Sequence, residues 1–314
     1  MAEIIQRAGT WSFDGDILRI VPGSWKGVQP LRRELGEIAV PLEAVAGIAY
    51  EAGRKSGRLR LRLREGADPL GQVARGRLPD ASDPYQLTVE ADRAGVAEYF
   101  VDEVRHALLL DQVPEGPCDR YLLPGPSVPR TASGTDGTAS FDGERVALEW
   151  NWLAEESKSS AGPRSFALRD LKGVEWTPAA GWENGSLRFR PQGAHPTLKP
   201  QHDPNCLLLW GIRQARETGG SVLLAAAVTA RLPHPSADSA APAAPEPRAP
   251  GGGERAVDGA GAPPPALTKG SGAEPGTEHD ALLRRLRELG ELHRQGVLTD
   301  EEFAAAKRAV LDRF

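Results

Sequence analysis

The sequence predicts a mainly β protein with capping helices, an α+β chain built as two tandem β domains, a disordered linker and a C-terminal helical hairpin. Three observations carry this expectation. A block of sequence recurs once at a fixed offset. Each copy is dominated by short alternating apolar and polar runs. The composition then changes abruptly after Leu232.

The repeat is read first, because a missed repeat misassigns the fold. GTWSFDGDILRI begins at Gly9 and GTASFDGERVALEW at Gly137, an offset of 128. Gly57-Arg58-Leu59 and Gly185-Ser186-Leu187 keep that offset, while Gly47-Ile48 matches Gly173-Val174 and Asp83-Pro84 matches Asp203-Pro204. Order and spacing both persist. They place domains over 1–112 and 128–232, with a connector over 113–127.

Within the first copy, Trp11 to Phe13 and Ile17 to Ile20 alternate around Asp14-Gly15. Asp-Gly between alternating runs is a strong hairpin signal, because both residues tolerate the positive φ of a type I′ turn. Asp142-Gly143 repeats it. Ala39 to Leu42, Val45 to Tyr50, the alternating Arg58 to Arg64 run and Tyr85 to Glu90 read as further strands. Val96, Phe100, Val104 and Leu108 then recur at helical spacing, and Ser221 to Leu232 takes the same place in the second copy. Six or seven strands closed by one helix suggest a small sandwich or barrel plugged at one end.

Residues 233–277 are rich in Pro, Ala and Gly with scattered charge. Such a segment cannot bury enough apolar surface to offset its ordering entropy, so disorder is expected. A coil of roughly 44 residues reaches about 35–40 Å. Residues 278–314 return to helical spacing. Leu282, Leu286, Leu289 and Leu292 form one stripe; Leu298, Phe303, Val310 and Phe314 form the next. Gly296 suits a helix end, and Thr299 with Glu302 suits a capping box. A hairpin under about 40 residues without metal or disulfide rarely folds alone. Its stripe calls for a second copy of the chain, one of the β domains or another protein.

Two resemblances rest on these residues. Val40 to Tyr50, in the pattern V-P-L-x-x-V-x-G-I-x-Y, and Phe166 to Trp176 resemble the middle strands of bacterial pleckstrin-homology-like domains. The first 230 or so residues resemble an actinobacterial family, the domain of unknown function 4429, carried in tandem. The resemblance implies a fold and no activity. The tail resembles the short C-terminal domain called SHOCT, through Leu286, Leu289, Gly296, Leu298, Thr299, Glu301, Glu302, Phe303 and Lys307.

The net charge is -5, so no global basic field argues for nucleic acid. No signal peptide is read at the N-terminus, no apolar run reaches the ~18 residues of a membrane span, and Cys118 and Cys206 are the only cysteines. A cytoplasmic location with reduced thiols is expected. His195, His202 and Cys206 match no standard zinc spacing. No metal, cofactor or catalytic residue is predicted, and no enzyme. Trp150 and Trp152 are read as sharing a strand face, where an exposed pair would mark an interface.

The sharpest candidate is Arg58, Arg60, Arg62 and Arg64, alternating with Leu59, Leu61 and Leu63. At a period of two, all four guanidiniums face one way. Arg54 and Lys55 lie beside them, and Arg32 and Arg33 are placed in a loop. One reading is a solvated strand face that discourages edge pairing. The other is an anion site, since phosphate favours arginine forks; the pleckstrin-homology resemblance implies the same. The function expected is a protein-interaction scaffold that self-assembles or docks through its hairpin, with a homo-oligomer as the expected state. The alternative is a sensor of anionic lipid or phospho-ligand at a membrane surface through the Arg58–Arg64 face.

Overall fold

A computed structural model describes residues 1–236 apart from 181–182, 194–197 and 210–213. The linker beyond Ser236, every hairpin residue named above, His195, Trp182 and Trp210 lie outside the described residues. The chain divides into two compact units, 1–245 and 246–314. Both repeats lie in the first.

Among the described residues each repeat has seven strands in a four-stranded and a three-stranded sheet, followed by a helix. In repeat 1 these are β1 (Ala2–Gln6), β2 (Gly9–Phe13), β3 (Ile17–Pro22) and β4 (Ile38–Pro41), then β5 (Val45–Glu51), β6 (Ser56–Leu63) and β7 (Gln86–Glu90), closed by α3 (Ala94–Leu110). Two short helices lie between strands, α1 (Pro30–Leu35) and α2 (Pro69–Ala74). Both sheets are antiparallel, in the orders β1-β2-β3-β4 and β5-β6-β7. Repeat 2 follows the same plan. Its first sheet holds β8 (Arg130–Ser133), β9 (Gly137–Phe141), β10 (Arg145–Trp150) and β11 (Arg164–Ala167), with the four-residue α4 (Glu156–Ser159) before β11. Its second sheet holds β12 (Leu171–Thr177), β13 (Gly185–Pro191) and β14 (Cys206–Leu209), followed by α5 (Gln214–Thr229).

The Asp-Gly hairpins form with a different turn from the one the sequence suggests. Only the glycine is left-handed, at φ 114° in Gly15 and 115° in Gly143. The aspartate is the residue before it and does not share the turn centre. Its Oδ1 accepts from two backbone amides, Asp16 and Ile17 in one repeat and Glu144 and Arg145 in the other. Asp83 and Asp203 are likewise equivalent: each caps its own turn by accepting from the amide two residues on.

The first strand of each copy and the short helices are not read from the sequence. β8 buries one side chain, Ala132, so its alternation carries little apolar signal. α1 and α2 span six residues each, too few to show a period. Local chemistry still explains α2. Asp68 is its N-cap and accepts from the amides of Leu70 and Gly71, with Pro69 next in line. Arg32 and Arg33 stand in α1, a correction to their expected place in a loop, and Arg32 is buried.

In repeat 1, α3 packs against β1 of the first sheet and β5 and β7 of the second. Trp11 packs edge-on against Phe100 at 6.4 Å inside a core that includes Leu18, Leu59, Leu87 and Val104. Its outer face is polar, with Glu98, Asp102, Glu103 and Arg105 on the pattern of an amphipathic helix. Helix α5 differs. Every residue from Ser221 to Val228 is buried. One side packs on β8, β9 and β12 of repeat 2, and the other meets α1 and α2 of repeat 1. Leu31, Leu70, Val73 and Ala74 of repeat 1 therefore belong to the same core as Phe141, Trp176, Leu187 and Leu223. Arg77 extends that contact by donating to Thr177 Oγ1 at 3.3 Å. The connector is strapped on as well: the amides of Leu122 and Leu123 both donate to Ala67 O.

Candidate functional site

The arginine strand β6 lies in the middle of its sheet, paired on both sides. Leu59 and Leu61 point into the core, and Arg58, Arg60 and Arg62 stand on the other face. The ladder does not act as one line. Arg58 Nη1 donates to Asp80 at 2.7 Å, and Arg60 Nη2 lies 3.6 Å from the same carboxylate. Arg64 turns back into the fold, donating to the carbonyls of Gly116, Glu43 and Pro117. It fastens the connector beneath β6. Arg54 and Lys55 stand exposed in the β5–β6 turn. Arg62 is exposed and makes no hydrogen bond or ion pair among the described residues.

Two clefts flank this row. One of about 710 Å³ lies toward α2 and β7 and is rich in acids, with Asp68, Asp80 and Asp83 facing Arg60 and Arg75. Burial pushes the Asp68 carboxyl up, against the pull of the Tyr85 hydroxyl that donates to it at 2.7 Å. Burial pushes the Tyr85 phenol well above its usual value too, with the Asp68 charge adding to the effect. Asp68 caps α2, and its bond from Tyr85 ties that cap to the residue just before β7. The second cleft, of about 690 Å³, lies between β5, β6 and the C-terminal end of α3. Arg60, Arg62 and Arg105 line it, with Glu115 as its carboxylate. Arg105 is held there by an Nε donation to Ile48 O at 3.2 Å. The neighbours of Arg60 and Arg62 on β5 are Ala49 and Gly47, so the floor is low.

Repeat 2 carries the corresponding strand, ending at Pro191. Arg190 lies 2.6 Å from Glu175, and Arg188 lies 3.0 Å from Asp203 with both side chains nearly buried. Its inner polar feature is Lys158, fully buried. Lys158 Nζ donates to Asp136 Oδ2 at 2.5 Å and to Cys206 O at 2.6 Å, and sits 5.0 Å from the Trp150 ring centre. Asp136 Oδ1 accepts from the Leu208 amide. The ion pair thus joins α4, the β8–β9 turn and β14. Nothing in a lysine between two serines announces it; Arg105, Asp80 and this pair are the residues sequence reading missed.

The aromatic pair is corrected by the structure. Trp150 is half-buried and donates to Gly162 O, whereas Trp152 lies past the strand, 68% exposed. Among the described residues no cluster of His, Cys, Asp and Glu could hold a metal. Both cysteines are free and buried. Burial pushes the Cys206 thiol up to about 11 and raises that of Cys118.

Comparison with known families agrees with the repeat. The model for the domain of unknown function DUF4429 matches residues 11–105 and 139–229, and that for the short C-terminal domain SHOCT matches 284–311. The two DUF4429 segments span more than half of the chain, which therefore belongs to that family. No curated protein matches it.

Proposed function

We propose that this protein is a non-enzymatic interaction scaffold, in which two pleckstrin-homology-like repeats form one rigid body and the SHOCT hairpin supplies self-assembly or partner docking. The shared core around α5 carries the reading. The stretch of α5 from Ser221 to Val228, buried on every side, fixes the repeats to each other, so the pair presents one platform rather than two independent modules. The four-plus-three strand plan with a closing helix supports the pleckstrin-homology-like assignment. The hairpin supports assembly because its Leu286, Leu289 and Phe303 stripe is too small to be covered by itself. Tethering by the linker would hold it near the platform at roughly millimolar effective concentration. A cytoplasmic setting fits two thiols left unpaired. Among the described residues, no helix is long and apolar enough to cross a membrane.

Light scattering on a sizing column tests the proposal, with the full chain beside a chain stopped at Gly276. An oligomeric full chain and a monomeric short one support self-assembly through the hairpin. If both are monomers and the tail captures no partner in a pull-down, the scaffold reading fails.

A further inference from the structure

The two repeats provide an internal control for their arginines. Arg60 and Arg62 correspond to Arg188 and Arg190 at the repeat offset. Their cross-strand neighbours correspond too: Ala49 and Gly47 in repeat 1, Glu175 and Gly173 in repeat 2. In repeat 2 each of these guanidiniums has its own carboxylate, Glu175 for Arg190 and Asp203 for Arg188. In repeat 1 both partners are withdrawn. Ala49 stands in the place of Glu175. Asp83, the equivalent of Asp203, accepts from Gln86 Nε2 at 2.8 Å instead. Arg60 shares Asp80 with Arg58 at the longer distance of 3.6 Å. Arg62 is left free, its Nη2 lying 3.8 Å from where a Gly47 Cβ would stand. Arg105 adds a third cation from α3, fixed by Ile48 O.

We propose that the cleft between β5, β6 and the C-terminal end of α3 binds a phosphate monoester, gripped by Arg60, Arg62 and Arg105. Three guanidiniums facing a low floor repel one another. A dianion with three acceptor oxygens relieves that repulsion and matches their fork geometry. Glu115 offsets part of the charge and leaves the cleft positive. Leu108 and Leu109 line its rim, so the organic part of the ester has an apolar wall. The volume of about 690 Å³ suits a small ligand or a single headgroup. This goes beyond the scaffold reading and does not depend on the hairpin. It also narrows the arginine row to two of its members. Arg58 and Arg64 do not line the cleft: Arg58 holds Asp80 at 2.7 Å, where Arg60 stands off at 3.6 Å, and Arg64 is taken by the connector carbonyls.

The test uses the full chain and two probes of the same chemistry. Glycerol 3-phosphate is titrated by calorimetry. Phosphatidylcholine vesicles with and without phosphatidic acid are sedimented at two salt concentrations. The main variant is Ala49→Glu, which transplants the carboxylate that repeat 2 already accommodates at the same register. Arg62→Gln is the second, at a side chain without a partner to lose. Thermal unfolding of both variants checks that the fold is kept. Removing or neutralising one charged contact is expected to weaken binding about 10–100-fold. Binding should also fall with added salt. Loss of glycerol 3-phosphate binding in both variants supports a soluble ester. Loss confined to the phosphatidic acid vesicles supports the same cleft with a lipid source. Saturable binding that Ala49→Glu and Arg62→Gln leave unchanged overturns the proposal, as does no saturable binding to either probe.

Discussion

Lys158 has no solvent contact and answers to one carboxylate, one carbonyl and one indole face. Removing one partner of a buried pair leaves the other charge without compensation, at a cost of about 3–5 kcal/mol. Lys158→Met is expected to lower stability by that order in urea denaturation. Adding Asp136→Asn should recover part of the loss, because the amide oxygen still accepts from Leu208 without carrying a charge. The hairpin aspartates behave oppositely, being exposed. Backbone donation from Ile17 and Asp16 holds the Asp14 carboxyl below its ordinary value, and Glu144 and Arg145 do so for Asp142. A depressed carboxyl stabilises the fold above the ordinary value of 3.8, and that contribution is lost as pH falls through the lower folded value. The double variant Asp14→Asn, Asp142→Asn should therefore melt below wild type at neutral pH. The difference should close below about pH 4, and a gap independent of pH would refute this assignment.

At the scale of elements, α3 and α5 occupy the same place in their repeats but face different surroundings. The outer face of α3 meets water and carries acids. α5 meets α1 and α2 and carries Ala225, Ala226 and Ala227, whose small side chains let helices approach closely. Leu70 sits in the middle of that contact, 3% exposed. Leu70→Ala is expected to cost about 2–5 kcal/mol. Because the core is continuous across the repeats, the loss should appear as one shifted transition by tryptophan fluorescence. Two resolved transitions would mean that the repeats unfold separately. β6 illustrates the opposite case, where a local pattern suffices. Its period-two alternation fixes which side chains are dry, and a slip of one residue would bury the arginines.

For the molecule as a whole, the shared core and the hairpin divide the work under the proposed reading. The first fixes the geometry of the platform. The second sets how many platforms meet. Light scattering with and without residues 277–314 separates the two roles. The truncated chain should keep its melting temperature, since α5 and its cover all lie before Ser236. Its oligomeric state should fall.

The repeat, the Asp-Gly turns, the alternation of β6 and the stripe of α3 are legible in the sequence, because each rests on near neighbours or on self-similarity. Both copies of the family are legible for the same reason. The candidate site is legible only in part. The row of arginines is visible as a pattern, but its division is not. Arg64 is taken by carbonyls more than 20 residues away along the chain or further, and Arg58 by Asp80. Arg105 arrives from another element. The cover on α5 is equally hidden: SVLLAAAV announces burial but not what buries it. Spacing along the chain determined the elements and the face each side chain takes. Tertiary structure decided which charges are paired and which helix is shared, because pairing and burial depend on distance in space between residues far apart in sequence.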